Sequence, residues 1–259
     1  MEKILYAELN PQEFRDRLAA APVAYLPVGT LEWHGEHMPF GTDALIGLGL
    51  LSEIARKAGG IVLPMVFMGP DGPVGEADGV PLYGMDGWTG EKETGKKVRD
   101  PGRLEGSAYW MPDDHYLVFI NDILAQLARA GFKAVVVDGH GPSVGNIIRH
   151  GEELEKKHGL KLINCWGYSE NGKWIAINAE ITAATGIQGG HGGTGETDLV
   201  MALRPELVQL DRIPKGQWPV GVGGTQNPRD FSTAKNGRIM LDMTRDFVAA
   251  QVVRFLNGK

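Results

Sequence analysis

The sequence predicts an α/β fold with a mostly parallel sheet that is covered by helices on both faces. Strand-like apolar runs alternate along the chain with amphipathic helical segments, an order typical of strand–helix–strand units. One run, "KAVVVDG" at 133–139, is rich in β-branched residues and continuously apolar, as expected of a strand buried on both faces. The 259 residues are 42% hydrophobic, which excludes a disordered chain and is enough to form a full core.

The first half of the chain contains three predicted strands and two predicted helices. In order, they are a strand at 23–29, a helix at 44–59, a strand at 60–69, a helix at 114–132 and a strand at 133–139. The helix at 44–59 has apolar residues at helical spacing and ends at a glycine pair suited to a C-cap. Asp113 or Asp114 is available as N-cap of the later helix.

The second half continues the alternation. It contains a helix at 142–159, a strand at 160–168, and further helices at 174–186, 196–207 and 241–257. The helix at 142–159 has a proline near its first turn, an apolar face and a charged outer face. The segment at 196–207 has a helical pattern as far as Pro205, because proline disrupts the interior of a helix.

Two stretches, 70–112 and 208–240, do not fit this alternation. The first is rich in Gly, Pro and charge and has little periodicity, and the second is similar. A long irregular segment inside a domain is usually a functional loop, so 70–112 is either a loop that covers substrate or contacts a subunit, or a solvated insertion. No repeat or low-complexity linker divides the chain, which favours one domain over 1–259 with an irregular insert at 70–112.

Composition excludes several classes of partner. The net charge of −6 argues against nucleic acid, because phosphate binding needs clustered Lys and Arg. No apolar run approaches the roughly 18 residues of a membrane span, and the N-terminus does not read as a signal peptide. Cys165 is the single cysteine and fits a small buried hydrophobe in a reducing compartment, so we expect a cytoplasmic protein.

His34, His140 and His191 each have glycine beside them in a stretch that lies outside the predicted helices. Glycine there lets the backbone turn tightly and lets a metal or substrate approach without a Cβ in the way. His34 and His140 also follow the carboxyl ends of predicted strands, where ligands bind in open α/β sheets. A shared site at this edge of the sheet is therefore expected.

Glu32, His34 and Asp43 are the candidate ligands in "LEWHGEHMPFGTD" at 31–43. Glu32 and His34 are two residues apart and point the same way if the backbone is extended. Asp43 opens the next helix, where a carboxylate either caps the helix or bridges two metals. Imidazole and carboxylate without thiolate suit Zn, Mn, Fe or Co, which activate water and polarise a carbonyl oxygen.

These stretches resemble the motifs of the creatininase (creatinine amidohydrolase) family. "LPVGTLEWHGEHMPFGTD" resembles the family's Leu-Pro-x-Gly-x-x-Glu-x-His-Gly-x-His-x-Pro-x-x-Thr-Asp, the most specific of its motifs. "VVVDGHG" resembles the second motif, "GGHGGTGETDLVMAL" the third, and "NPRDFSTAKNGR" at 227–238 a weaker fourth. Order and spacing match along the chain except at 70–112.

The resemblance implies a three-layer α/β/α fold, a binuclear site for two divalent metal ions (Zn, Mn or Fe), and a homo-oligomer that is often a hexamer. One ion would be held by Glu32 and His140 and the other by His34 and Glu196, with Asp43 bridging. A carboxylate at the start of a helix, favoured by the helix dipole, is the alternative for Glu196. His191 would orient substrate or bind an oxyanion, and His37 matches the motif without being a ligand, so it could support the ligands.

Several substrate-contacting positions depart from the family pattern. Creatininase has a Glu directly before the third-motif histidine, implicated in proton transfer to the leaving nitrogen, and this chain has Gly190 there. The second motif's Asn is Asp138, its trailing Gly-Asn is Pro142-Ser143, and the third motif's final Ser is Asp198. These departures favour a substrate other than creatinine.

The candidates for the missing acid are Asp138, Asp198 or a carboxylate from the 70–112 loop. Tyr109, Trp110 and Trp174 are candidate pocket aromatics, and packing in the core or an interface is an equal alternative for each.

Three functions are compatible with these residues. The favoured one is a metal-dependent hydrolase that cleaves the C–N bond of a cyclic or linear amide in a small-molecule substrate, through a metal-bound hydroxide. The alternative is a lactonase, lyase or isomerase that acts on a sugar-like substrate with the same metals. The third is a non-catalytic binding protein, which would have no need for five candidate ligands at the motif spacing.

Overall fold

A four-stranded parallel sheet organises the fold in the computed structural model, which describes residues 3–98, 102–165 and 177–258. The strands are β1 (Val23–Val28), β2 (Ile61–Val62), β5 (Ala134–Gly139) and β6 (Lys161–Asn164), in the order β2-β1-β5-β6. The remaining two, β3 (Pro73–Ala77) and β4 (Val80–Tyr83), form a separate antiparallel hairpin.

The described residues form ten α-helices beside this sheet. They are α1 (Pro11–Ala20), α2 (Thr42–Ala58), α3 (Glu91–Thr94), α4 (Asp113–Ala130), α5 (Gly141–Arg149), α6 (Gly151–His158), α7 (Ile177–Thr185), α8 (Thr194–Leu203), α9 (Pro228–Phe231) and α10 (Ala234–Leu256). The predicted strand at 160–168 and helix at 174–186 both extend into residues 166–176, which lie outside the described part of the chain.

Two hydrophobic cores, one on each face of the sheet, confirm the predicted α/β fold and its three layers. Successive residues of a strand point to opposite faces. Tyr25 and Val136 accordingly pack with α2 and α10 in one core, whereas Leu26 and Val137 pack with α4 and α5 in the other. Both central strands are buried over their full length, as the β-branched run at 133–139 predicts.

Proline and glycine explain where two predicted elements are interrupted. The strand predicted at 60–69 ends at Val62, although Val66 still donates to the carbonyl of Pro27. Pro64 cannot donate to the ladder, and one extra residue separates the hydrogen bonds on its two sides. The helix predicted at 142–159 is two helices that meet at His150 and Gly151, a residue that weakens a helix interior.

Several helix boundaries differ from the prediction. The helix at 114–132 begins at Asp113 behind Pro112, so neither Asp113 nor Asp114 is its N-cap. The helix predicted at 196–207 ends at Leu203, two residues before Pro205, where a 3₁₀ turn begins. The last helix starts earlier than predicted, at residue 234, because the side chain of Thr233 caps it by accepting the N–H of Asn236.

The insert at 70–112 is more regular than its composition predicts. It contains the β3–β4 hairpin and the single turn of α3. Its two ends pair with each other through Pro70 and Met111, and Ala108 pairs with Leu31 in the segment that follows β1. The insert therefore returns to the carboxyl ends of the strands, where the predicted ligands lie.

Among the residues described, no helix combines the length and the apolar character that a bilayer span requires.

Candidate metal centre

Two adjacent strand ends bring the first group of predicted ligands together. β1 and β5 run parallel with Val28 opposite Gly139, so the segments that leave the two strands start side by side. The strands approach so closely that a Cβ on Gly139 would lie 1.7 Å from the carbonyl oxygen of Val28, and this residue also has a positive φ of 134°. Only glycine fits there. His140 follows at once.

One triad consists of Glu32, Asp43 and His140, all of them buried. Nδ1 of His140 lies 3.0 Å from Oδ2 of Asp43 and 3.5 Å from Oε2 of Glu32. Asp43 reaches this position as the second residue of α2, which begins beside the sheet edge. The three residues come from three separate segments of the chain and present one nitrogen and two oxygens to a common point.

A second triad consists of His34, Asp43 and Glu196. Nε2 of His34 lies 3.5 Å from Oδ1 of Asp43 and 3.7 Å from Oε2 of Glu196. Glu196 is the third residue of α8, and its Oε2 also accepts the N–H of Gly192 at 2.7 Å. Asp43 therefore turns one carboxylate oxygen to each triad.

The backbone fixes the orientation of each histidine in the cluster. Nε2 of His140 lies 3.0 Å from the carbonyl oxygen of Pro70, and Nδ1 of His34 lies 3.0 Å from that of Glu32. Nε2 of His191 lies 2.6 Å from the carbonyl oxygen of Trp33. A carbonyl only accepts, so each ring donates there and turns its other nitrogen towards the carboxylates. Metal-binding histidines are oriented in the same way.

Burial and mutual charge shift the pKa values of the cluster in opposite directions. Burial disfavours the charged form of His34, but Asp43, Glu196 and Glu32 around it outweigh burial and raise its pKa to about 10. Burial raises the pKa of Glu32. Burial also acts to raise the pKa of Asp43, yet His34 and His140 lower it well below its ordinary value. Without a bound ion, protonated His34 neutralises part of the charge of these carboxylates. A divalent cation at the same place would do so instead.

The donor set and one unpartnered atom fit a divalent metal ion. Nε2 of His34 is buried and has no hydrogen-bond partner among the described residues, although two carboxylates face it. An unpaired buried polar atom is costly, and a cation between the nitrogen and the oxygens would satisfy all of them. Imidazole and carboxylate are ligands that Zn and Mn accept.

His191 lies next to both triads and forms, with Glu32 and His34, a third group of side chains that could hold an ion. Its ring centroid is 4.2 Å from that of His34, and its Nδ1 is 3.9 Å from Oε2 of Glu32. Burial, together with the charge of His34, lowers its pKa to about 4, so it is neutral at neutral pH. Because its one N–H is used by Trp33, the neutral ring faces the cluster as an acceptor and not as the oxyanion donor that the sequence suggests.

Asp138 and Asp198, the two predicted acids, have different surroundings. Asp138 is buried at the end of β5 and lines the cavity in front of the triads. Asp198 is fully buried, and its Oδ1 accepts the N–H of Thr233 at the start of α10. The structure does not bring Asp198 to the cluster, because residues two apart on a helix face different directions and Glu196 takes the inward one.

His37 supports the second triad from behind. Its Nε2 lies 3.0 Å from Oγ1 of Thr197, the residue after Glu196, whose hydroxyl lies 3.3 Å from the carbonyl oxygen of Gly192. Burial and the charge of His34 lower the pKa of His37 to about 4, which keeps the ring neutral. The position of His37 agrees with the supporting role that the motif implies.

The cavity in front of the triads has a volume of about 600 Å³. Glu32, Asp43, His140, His191 and Glu196 lie on its wall, together with apolar residues of α2, α8 and α10. Asp71 of the insert also lines it. The sequence points only to some carboxylate of the 70–112 loop, because nothing in the pattern distinguishes Asp71 from the other acids there.

The predicted pocket aromatics do not line this cavity in the described part of the chain. Trp110 packs against Tyr83 with ring centroids 4.0 Å apart and ring planes tilted by 37°, and Tyr109 is exposed with a positive φ of 67°. Trp174 lies outside the described residues.

Comparisons with known proteins agree with the resemblance seen in the motifs. The family model described as "Creatininase: Creatinine amidohydrolase" matches residues 7–80 and 103–249. A creatinine amidohydrolase of Pseudomonas putida is 27% identical over 257 residues, which cover 90% of this chain and 88% of that protein. The residues left between the matched ranges, 81–102, fall inside the insert.

Solved creatininase structures share the fold. A creatininase variant of the zinc–zinc type superposes with a TM-score of 0.70 at 22% identity, over 97% of this chain and 98% of that one. A structure described as "Creatininase Mn" gives a TM-score of 0.69 at 22% identity, over 96% and 97% of the two chains.

Proposed function

The chain belongs to the creatininase family of metal-dependent amidohydrolases, and we propose that it hydrolyses the C–N bond of a small cyclic or linear amide. We further propose that it does so with two divalent ions, one held by Glu32 and His140, the other by His34 and Glu196. Asp43 would bridge them. Zn and Mn, which the structurally similar creatininases contain, are the first candidates, and Fe is a third.

The observation that carries the proposal is the division of Asp43 between two triads. Its Oδ2 faces His140 and its Oδ1 faces His34, and each triad adds one further carboxylate, from Glu32 or Glu196. A helix cap would instead direct this carboxylate to backbone N–H groups, and α2 has no such bond from a side chain. This division supports a bridging role for Asp43 between two ions.

The residues of this chain have separate tasks in such a reaction. Ions held by the triads would activate water and polarise the amide carbonyl. The backbone carbonyls of Pro70 and Glu32 hold the rings of His140 and His34 in their orientation, and His37 with Thr197 supports α8 behind Glu196. The cavity wall from α2, α8 and α10 receives the apolar part of the substrate.

We propose an amide other than creatinine as substrate. The family's glutamate before the third-motif histidine is Gly190 here, and its φ of 115° is one that a residue with a side chain rarely adopts. Family membership favours C–N cleavage over the lactonase, lyase or isomerase alternative, and no observed contact favours a sugar-like substrate. The homo-oligomer, often a hexamer, that the resemblance implies stays a prediction, which mass photometry would test. The cytoplasmic location is likewise a prediction.

A substrate screen with metal analysis tests this function. Purified protein is assayed for metal content and for hydrolysis of cyclic amides, formamides and lactones, before and after chelation. We expect bound divalent metal, amide turnover that chelation abolishes, and recovery on adding Mn²⁺ or Zn²⁺. A protein that binds no metal, or one that turns over lactones and no amide, would contradict the proposal.

A further inference from the structure

Backbone packing excludes an acid at residue 190. A Cβ on Gly190 would lie 2.6 Å from the carbonyl oxygen of Gly223 and 2.7 Å from Cα of Gly224, closer than real Cβ contacts allow. The neighbouring backbone has no flexible side chain that could yield. Residue 190 therefore cannot supply the proton for a leaving nitrogen.

Asp71 is the cavity carboxylate that neither belongs to a triad nor lies on the sheet. Among the described residues, five carboxylates line the cavity: Glu32, Asp43, Asp71, Asp138 and Glu196. Three of them form the triads. Asp138 lies on β5 and lines the cavity, as does Cys165, which belongs to one hydrophobic core. Asp71 enters from the insert.

Gly84 brings Asp71 close to the first triad. A Cβ on Gly84 would lie 2.5 Å from Oδ2 of Asp71 and 2.7 Å from Oε1 of Glu32, so these two carboxylate oxygens flank the same point. Only a residue without a side chain leaves both oxygens in place. The side chain of Asp71 is thus close enough to the first triad for both to contact the same small substrate.

The backbone also fixes where Asp71 lies. The carbonyl of the preceding residue, Pro70, accepts the hydrogen bond of His140, and Oδ1 of Asp71 accepts the N–H of Gly72 at 3.0 Å. One anchor holds the chain against the triad and the other orients the carboxylate. Oδ2 is left to face Gly84 and the cavity.

We propose that Asp71 is the residue that transfers a proton to the leaving nitrogen, in the role that Gly190 cannot fill. This inference rests on the proposed amide hydrolysis. As water attacks the carbonyl carbon, the new C–O bond forms and one proton of that water passes to the Asp71 carboxylate. Asp71 gives this proton to the nitrogen as the C–N bond breaks, so that a carboxylic acid and an amine leave and Asp71 regains its negative charge.

The test is the dependence of rate on the leaving group in Asp71→Asn. Wild type and variant are compared on para-substituted formanilides, whose anilines differ in basicity, and on p-nitrophenyl acetate, whose leaving group needs no proton. General acid–base groups contribute roughly 10²–10⁴-fold, so we expect kcat on formanilide to fall by about 10² or more. The loss should shrink towards the nitro-substituted anilide and nearly vanish for the ester.

Glu76→Gln is the matched control. Glu76 is an exposed carboxylate of the same insert, on β3, so this variant removes the same charge without entering the cavity. It should keep the wild-type rates. Metal content and Tm of Asp71→Asn should equal those of wild type, since Asp71 belongs to neither triad.

The outcomes separate this proposal from the proposed function. If wild type hydrolyses formanilides and Asp71→Asn does so with the same dependence on the leaving group, Asp71 is not the proton carrier, although the enzyme is still an amidohydrolase. The same holds if Asp138→Asn shows the effect instead. If metal-loaded wild type cleaves the ester but hydrolyses neither the formanilides nor any amide of the substrate screen, amide hydrolysis itself is contradicted and this proposal fails with it.

Discussion

Asp43 is the side chain on which both triads depend. It contacts His34 through one oxygen and His140 through the other, although the two histidines are more than a hundred positions apart in sequence. Removing this carboxylate would leave the two rings and the remaining acids without a common partner. If Asp43 served only to begin α2, its loss would leave the surroundings of both histidines unchanged.

Asp43→Ala should therefore abolish metal binding. We expect Mn²⁺ to bind more than about 100-fold more weakly than to wild type, because even the loss of a hydrogen bond behind a ligand costs 10–100-fold. Calorimetric titration of metal-free protein measures it. Asp114→Ala is the matched control, because Asp114 is the second residue of α4 as Asp43 is of α2, and it is exposed. Equal Mn²⁺ affinity in the two variants would refute the bridging role.

Metal binding should release protons at neutral pH. The pKa of His34 is raised to about 10 by Asp43, Glu196 and Glu32 against the effect of burial, so without metal this ring is protonated at pH 7. The ring must lose that proton before Nε2 can bind a cation, and affinity should therefore rise with pH between 6 and 8, by about tenfold per unit for each proton released.

Calorimetry in buffers of different ionisation heat measures this proton release. The binding heat of Mn²⁺ at pH 7 should change with the buffer, in proportion to the number of protons released. A heat that is the same in all buffers would show that the site is already deprotonated.

Secondary-structure elements determine how much of this site a sequence can predict. Glu32, His34 and His140 were predictable because strand ends of a parallel sheet meet at one edge, and β1 and β5 are adjacent. Asp198 differs from the prediction, because residues two apart on α8 face different directions and Glu196 takes the inward one. Asp71 was not identifiable, because its position depends on how the insert folds back through Pro70.

The helices α8 and α10 pack closely against each other at Gly237. Gly237 of α10 lies so close to α8 that a Cβ would be 1.8 Å from the carbonyl oxygen of Asp198. Gly237→Ala should destabilise the protein by about 1–3 kcal/mol, the usual range for overpacking. Urea unfolding measures it.

Gly145→Ala is the comparison for Gly237→Ala. Gly145 is also a helical glycine, but its nearest neighbour is the flexible end of Arg149, at 3.5 Å. Alanine there should be neutral or stabilising, because it favours the helix. Equal effects of the two substitutions would show that the helices can move apart freely.

The whole molecule brings distant segments to one point. The five proposed ligands come from the loop after β1, the start of α2, the end of β5 and the start of α8. Three layers of secondary structure position them, with one core on each face of the sheet. The proposed centre is therefore a property of the complete α/β/α fold and not of any single motif, although each motif is recognisable by itself.

Anomalous X-ray diffraction from crystals grown with Mn²⁺ tests the central claim most directly. The data should show two peaks on opposite sides of the Asp43 carboxylate, about 3.5–4 Å apart as in other two-metal sites. One should lie between Glu32 and His140, and the other between His34 and Glu196. A single peak, no peak, or peaks away from Asp43 would contradict the two-metal centre.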